Sequence, residues 1–381
     1  MYREWRWGAD ENRFWRSAVM PAVLEWNPTV AAEELRERIL ATAAEGAPVI
    51  LPGDYGYVAA LPVQSPRLAT LLQRLPEPAA LWVKDSECLR ALGVEIPLAL
   101  QRLLNRAWPL PLLVLLSADS LQKQGFSRPA WWDSAVDSGQ RLRLRHPEHT
   151  VASAIAEVLD VSQWLIADTG LPTVEAALDL MEEAEALGIS AGVLSCHVRP
   201  SQVCFGSRGW EMIEEGAVSR EELAHLTARL ILFVCTGNTC RSPLAEGLAK
   251  VLAANRLGCS IDELPQRGLW ITSAGLCTSG GWPASAEAIQ VAAEYGVDLN
   301  RHRSQPLQPW LLAMADQVIT MTQGHQQLLR EQYPGLGPPP RLLWEDGDVA
   351  DPIGAGPDAY RACAALLREQ VERLLAEWLA S

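Results

Sequence analysis

The sequence predicts an α/β protein of two domains, the second of them a doubly wound parallel sheet. Three observations carry that expectation. Apolar runs of strand length alternate with amphipathic stretches of helical length along the whole chain. A polar, helix-prone stretch, EEGAVSREELAHLTAR (214–229), separates two such series and puts a boundary near residue 228. The chain, at 381 residues, is long enough for two or three domains.

In the first series, AAEELRERILATAAEG (31–46) predicts an amphipathic helix ending on a glycine, and APVILP (47–52) a short buried strand. SPRLATLLQRL (65–75) is helical and PAALWVK (78–84) strand-like. PLALQRLLNRAW (97–108) and PLLVLLSA (111–118) repeat the alternation. The basic strip RLRLRH (141–146) reads as a strand with one solvated face. TVASAIAEVL (150–159), SQWLIADTG (162–170) and TVEAALDLMEEAEALG (173–188) continue as helix, strand and helix. The second series opens with a strand at 230–235, then a loop, then a helix over SPLAEGLAKVLAANRLG (242–258). Ser242 suits its N-cap, Pro243 its first position and Gly258 its stop. Strands at 269–275 and 315–322 and helices at 285–296 and 358–380 complete the pattern. Ligands of such a sheet lie at the carboxyl ends of its strands, where the first loop lies.

Composition narrows the function classes. No run approaches the roughly 20 apolar residues that cross a bilayer. The stretch MYREWRWGADENRFW (1–15) has no apolar core before a cleavage site, so a cytoplasmic protein with no membrane partner is expected. Eight cysteines (88, 196, 204, 235, 240, 259, 277 and 363) are too few for a disulfide scaffold in so long a chain. The net charge is −14, and residues 229–381 hold 12 Lys and Arg against 16 Asp and Glu, leaving 20 against 30 for residues 1–228. That acidic first half argues against a nucleic-acid partner, which needs a basic face. Fifteen tryptophans, spread over both halves, read as core filling.

The loop VCTGNTCRSP (234–243) carries the chemistry. Structural zinc needs four ligands, and Cys235 and Cys240 have no second pair nearby, so no metal or other cofactor is expected. A plain turn leaves Arg241 unexplained, since a positive charge at a helix start opposes the helix dipole. A cradle for a tetrahedral oxyanion explains every position. Backbone N–H groups of Thr236, Gly237, Asn238, Thr239 and Cys240 turn inward, as at helix N-terminal phosphate sites. Gly237 permits unusual dihedrals and Asn238 tolerates the left-handed region. Arg241 grips two phosphate oxygens with its planar fork. Dipole and guanidinium favour the thiolate of Cys235, Ser242 Oγ can donate to it, and a thiolate facing a phosphoryl group forms a phosphocysteine. The chemistry also needs an acid for the leaving group and then a base for water. The histidines sit in no loop with other polar machinery. Asp351, held extended by Pro352 in the acidic loop WEDGDVADPIGAG (344–356), is the best carboxylate, against a solvated Asp-Pro turn.

Residues 229–381 resemble low-molecular-weight protein-tyrosine phosphatases throughout, in VCTGNTCRSPLAE, TSAG (272–275), GVDLNRHRSQPL (296–307), ADQVITMT (315–322) and the late Asp-Pro. The resemblance implies Cys235 as nucleophile, Arg241 as phosphate ligand, Ser242 as its assistant and Asp351 as acid. It implies a reversible disulfide between Cys240 and the nucleophile, and Ser273 as the residue that braces Asn238. The loop CTGNTC is similar to that of bacterial protein arginine phosphatases, in which the threonine, here Thr239, helps recognise the phosphoguanidinium. Tyrosine-specific members commonly carry isoleucine there and an aromatic after Asp-Pro, where this chain has Ile353, and DPIG also echoes the Asp-Pro-aromatic-Gly of the arginine phosphatases without its ring. The resemblance thus implies a phosphorylated protein substrate, phosphoarginine ahead of phosphotyrosine.

Residues 30–220 resemble the YrdC/Sua5 domain, which makes threonylcarbamoyl-adenylate for tRNA modification, in PGDYGYVA (52–59), WPLPLL (108–113), RHPEH (145–149), PSQV (200–203) and EEGAV (214–218). The family's Lys-x-Arg aligns with Leu72-Gln73-Arg74, so its lysine is gone, and its Ser-Ala-Asn is missing around IADTG (166–170). A retained fold with lost synthase activity follows. Asp54, Tyr57 and Arg145 are then packing residues or the remnant of a pocket for a small molecule or nucleotide. The alternative function is a threonylcarbamoyl-AMP synthase with an appended phosphatase.

Overall fold

The computed structural model describes residues 21–26, 32–117 and 128–380. The stretch 1–15 and residues 30, 31 and 118, named above, lie outside them. The chain packs as two compact units: described residues within 1–96 and 109–218 form the first, those within 97–108 and 219–381 the second.

The first unit is built on a mixed sheet of ten strands among the described residues. These are β1 (Ala22–Glu25), β2 (Val49–Pro52), β3 (Tyr57–Pro62), β4 (Ala80–Trp82), β5 (Leu112–Leu116), β6 (Leu142–Arg145), β7 (Trp164–Asp168), β8 (Leu187–Ser190), β9 (Ser201–Gly206) and β10 (Gly209–Glu214). They lie in the order β1-β8-β2-β3-β7-β4-β6-β5-β9-β10. Alternate side chains feed two cores: Val49 and Leu51 join Ile39, Trp82 and Ile155 on one face, while Ile50 joins Tyr57, Leu71 and Met181 on the other.

Two expectations are corrected here. The helix expected over 173–188 ends at Met181, where Glu182 takes the left-handed conformation (φ 52°). Leu187–Ser190 instead form β8, parallel to both β1 and β2. Glutamates carry the helical pattern past its true end, and only pairing with distant strands reveals β8. The strip 141–146 does form strand β6, but Arg145 is 2% exposed and His146 3%. An ion-paired interior, not a solvated face, takes up Arg145.

The second unit holds four parallel strands, β11 (Arg229–Cys235), β12 (Leu269–Gly275), β13 (Gln317–Thr320) and β14 (Arg341–Leu342), in the order β12-β11-β13-β14. Ile231, Phe233 and Cys235 face one core, shared with the helices Arg241–Leu257 and Pro357–Ala380. Leu230, Leu232 and Val234 face the other, shared with the helix Pro309–Met314. The chain leaves β11 toward β12 and later returns past it to β13, so the loop after β11 stands at the switch point of the sheet.

The helix Leu98–Arg106 packs with this unit. Asp316 binds Arg102 at 2.9 Å and Arg106 at 2.6 Å, and accepts from the Leu230 N–H at 2.7 Å, which ties the helix to the start of β11. Among the described residues, no helix is long and apolar enough to cross a membrane.

Candidate active site

β11 delivers Cys235 to the carboxyl end of the sheet, and the helix Arg241–Leu257 starts six residues later. The loop between them is tied from inside by Asn238, which is completely buried and left-handed (φ 54°). Its Nδ2 donates to Ser242 Oγ at 2.9 Å and to Ser273 Oγ at 2.8 Å. Its Oδ1 accepts from the Gln305 N–H at 2.9 Å, and its backbone N–H donates to Cys235 Sγ at 3.3 Å. Ser273 in turn donates to Glu246 at 2.6 Å.

Ser242 is not the N-cap. The helix begins at Arg241 with Cys240 at the cap position, and Pro243 falls inside the first turn. The Ser242 hydroxyl is engaged elsewhere, 3.0 Å from Cys235 Sγ. Gly258 does end the helix, left-handed at φ 61°. Nor is Gly237 the glycine that the loop geometry requires, because a Cβ there meets nothing closer than 3.6 Å. Gly275 is: a Cβ on it would lie 2.9 Å from the Thr236 carbonyl oxygen and 3.0 Å from the Gly237 carbonyl carbon.

Arg241 is buried, with Nη2 paired to Asp351 Oδ2 at 2.5 Å and Nη1 donating to the Val349 carbonyl at 3.3 Å. Its Nε is buried without a hydrogen-bond partner among the described residues. Asp351, 41% exposed, reaches the loop through its pair with Arg241. Thr239 gives its carbonyl to the Ser285 N–H at 2.9 Å, while its hydroxyl, among the described residues, makes a long 3.6 Å contact with Cys240 Sγ. Cys240 and Cys235 are both free thiols. Cys240 Sγ lies 3.4 Å from Ser285 Oγ and 3.2 Å from Tyr360 OH.

Residues 230–380 match the family model for low molecular weight phosphotyrosine protein phosphatase. Over 149 residues the chain is 37% identical to a protein-arginine-phosphatase of Geobacillus stearothermophilus, covering 38% of this chain and 92% of that one. The chain belongs to this phosphatase family. It is a cysteine-dependent phosphatase. It is also 37% identical over 150 residues to the protein-arginine-phosphatase of Bacillus subtilis (38% of this chain, 91% of that one). Against a probable tyrosine phosphatase, EpsP of Ralstonia nicotianae, identity is 32% over 146 residues, covering 38% of this chain and 92% of that one. Among solved structures, the YwlE arginine phosphatase of Geobacillus stearothermophilus is 34% identical with a TM-score of 0.35, covering 40% of this chain and 94% of that one.

Two histidines of this phosphatase bond to the loop, a role that their own sequence surroundings did not suggest. His302 Nε2 donates to the Asn238 carbonyl at 2.8 Å. His325 Nε2 lies 2.9 Å from Thr236 Oγ1, and burial, then the nearby Arg241 charge, push its pKa down to about 4. Both reach the loop from distant segments, so local sequence context carried no signal of them. Tyr360, whose pKa burial and the Cys240 contact push up to about 12, was missed for the same reason.

In the first unit, Arg145 binds Asp54 at 2.6 Å and Asp168 at 3.2 Å. Tyr57 is completely buried and donates from its hydroxyl to the Gly192 carbonyl at 2.8 Å. Arg145 and Asp168 border a cleft with Tyr55 and Arg199.

Proposed function

We propose that this phosphatase acts on phosphoarginine in proteins, with phosphotyrosine as the weaker substrate. The observation that carries the reading is the Cys235 sulfur held by the Ser242 hydroxyl and the Asn238 N–H, beside an arginine whose Nε has no partner among the described residues. In the reaction proposed, Arg241 and the loop N–H groups hold three phosphoryl oxygens. The Cys235 thiolate attacks phosphorus, the bond to the substrate nitrogen breaks, and Asp351 gives its proton to that nitrogen. Asp351 then takes a proton from water, whose oxygen attacks the phosphocysteine. Inorganic phosphate leaves and the thiolate returns to the donors on Ser242 and Asn238.

One feature favours the guanidinium substrate. Among the described residues, the Thr239 hydroxyl is not committed to a short bond, which leaves it for a ligand. The relatives named protein-arginine-phosphatase point the same way. Turnover of phosphoarginine and phosphotyrosine peptides by the full chain, without added metal, tests the reading. A higher kcat/KM for phosphoarginine is expected, and a preference for phosphotyrosine would reverse it.

The phosphatase domain proposed spans 229–381, and a degenerate YrdC/Sua5-like domain spans 30–220. Loss of synthase activity is supported by the absent lysine beside Arg74 and by Arg145, whose guanidinium is taken up by two carboxylates. Threonylcarbamoyl-adenylate formed from threonine, bicarbonate and ATP would overturn that assignment.

A further inference from the structure

Thr236 follows the nucleophile directly and is exposed. Its carbonyl accepts from the Cys277 N–H at 2.8 Å, which fixes the backbone. Its hydroxyl has one partner among the described residues, Nε2 of His325 at 2.9 Å. His325 sits in the first turn of the helix Gln323–Gln332, where Thr322 Oγ1 accepts from its backbone N–H at 3.1 Å. His325 is buried, 6% exposed.

The other ring nitrogen, Nδ1, is buried with no hydrogen-bond partner among the described residues. Burial and Arg241 keep the ring neutral at neutral pH, against the weaker opposing pull of Asp348 and Asp351. A neutral imidazole carries one proton. A buried N–H without an acceptor is rarer than an acceptor without a donor, so the proton belongs on Nε2. Nε2–H then donates to Thr236 Oγ1, and the hydroxyl's own proton turns away from the ring. A phosphoryl group in the adjoining loop brings the acceptors for it.

We infer that His325 is a positioning residue, holding the Thr236 hydroxyl as a donor to an oxygen of the bound phosphoryl group. The inference rests on Cys235 being the nucleophile.

A double-mutant cycle on a phosphoarginine peptide tests it, with thermal melting of each variant. Thr236→Val, at an exposed position, is expected to lower kcat/KM about tenfold, the effect of one hydrogen bond to a charged group. His325→Leu should lower it by a similar factor, and the double variant no further than either alone. His325→Gln keeps an N–H donor and should recover most of the loss. Losses that multiply in the double variant would overturn the inference. So would a Thr236→Val chain as active as its parent, whatever the folding of the His325 variants. Cys235→Ser in the same series separates the two failures. If it stays active the nucleophile is misassigned. If it is dead while Thr236→Val is unaffected, only the inference falls.

Discussion

A thiol attacks phosphorus well only when fixed donors meet its charge before and after the bond forms. At Cys235 both donors depend on one residue, since the Asn238 backbone N–H meets the sulfur and its side-chain Nδ2 orients Ser242, whose hydroxyl meets it too. Thr239, in the same loop, is expected to govern substrate choice. Thr239→Ile should move the ratio of kcat/KM for phosphoarginine over phosphotyrosine about tenfold toward phosphotyrosine, the scale of one lost polar contact. An unchanged ratio would remove Thr239 from recognition. His146 makes a separate prediction. Its Nδ1 accepts from Trp82 Nε1–H at 2.7 Å, and burial pushes its pKa from 6.5 down to about 4. A pKa lowered on folding gives stability that is complete above pH 6.5 and is lost as pH falls toward 4. Melting between pH 7 and pH 4.5 should reveal a loss on the order of 2 kcal/mol from this residue, and His146→Phe should flatten the slope. The meeting of Cys235 with Ser242 was legible because their spacing is local, whereas the pairing of Arg241 with Asp351 was suggested only by the family resemblance. His302, His325 and Tyr360 were not, because only packing of remote segments brings them to the loop.

Among elements, the helix Arg241–Leu257 matters most, because it carries Arg241 and Ser242 on its first turn. It packs closely enough that a Cβ on Gly247 would lie 2.2 Å from Val297 Cγ1. Val297 is 4% exposed and has nowhere to retreat. Gly247→Ala should therefore destabilise the chain by about 1–3 kcal/mol despite alanine's better helix propensity, measured by denaturant unfolding. A neutral or stabilising result would mean that the helix can shift without loss. Strands and helices of the second half were largely readable, since parallel strands buried on both faces read as unbroken apolar runs. In the first half, β8 was hidden behind a glutamate-rich helix pattern, and the Asp54–Arg145–Asp168 cluster inside a basic strip. Both depend on partners far away in sequence.

For the molecule as a whole, the second unit is not one continuous stretch. Residues 97–108 belong to it, and Asp316 holds their two arginines. Arg106 is 5% exposed and also donates to the carbonyls of Leu226 at 3.0 Å and Ala228 at 2.6 Å. Asp316→Ala leaves that buried charge without its carboxylate and frees the Leu230 N–H. A loss of about 3 kcal/mol is expected in denaturant unfolding. A fragment starting at 219 lacks the helix Leu98–Arg106 and should melt below the second unit of the full chain. Equal melting would show that the inserted helix adds nothing.

The central claim is that Cys235 carries the phosphoryl group. Asp351→Asn removes the acid and base and should slow turnover about 100- to 10,000-fold, leaving the phosphocysteine to accumulate. Intact-protein and peptide mass spectrometry of that variant, quenched after mixing with a phosphoarginine peptide, should find one phosphoryl group on Cys235 and none after Cys235→Ser. A phosphoryl group on another residue, or turnover that persists in the Cys235→Ser chain, would contradict the account.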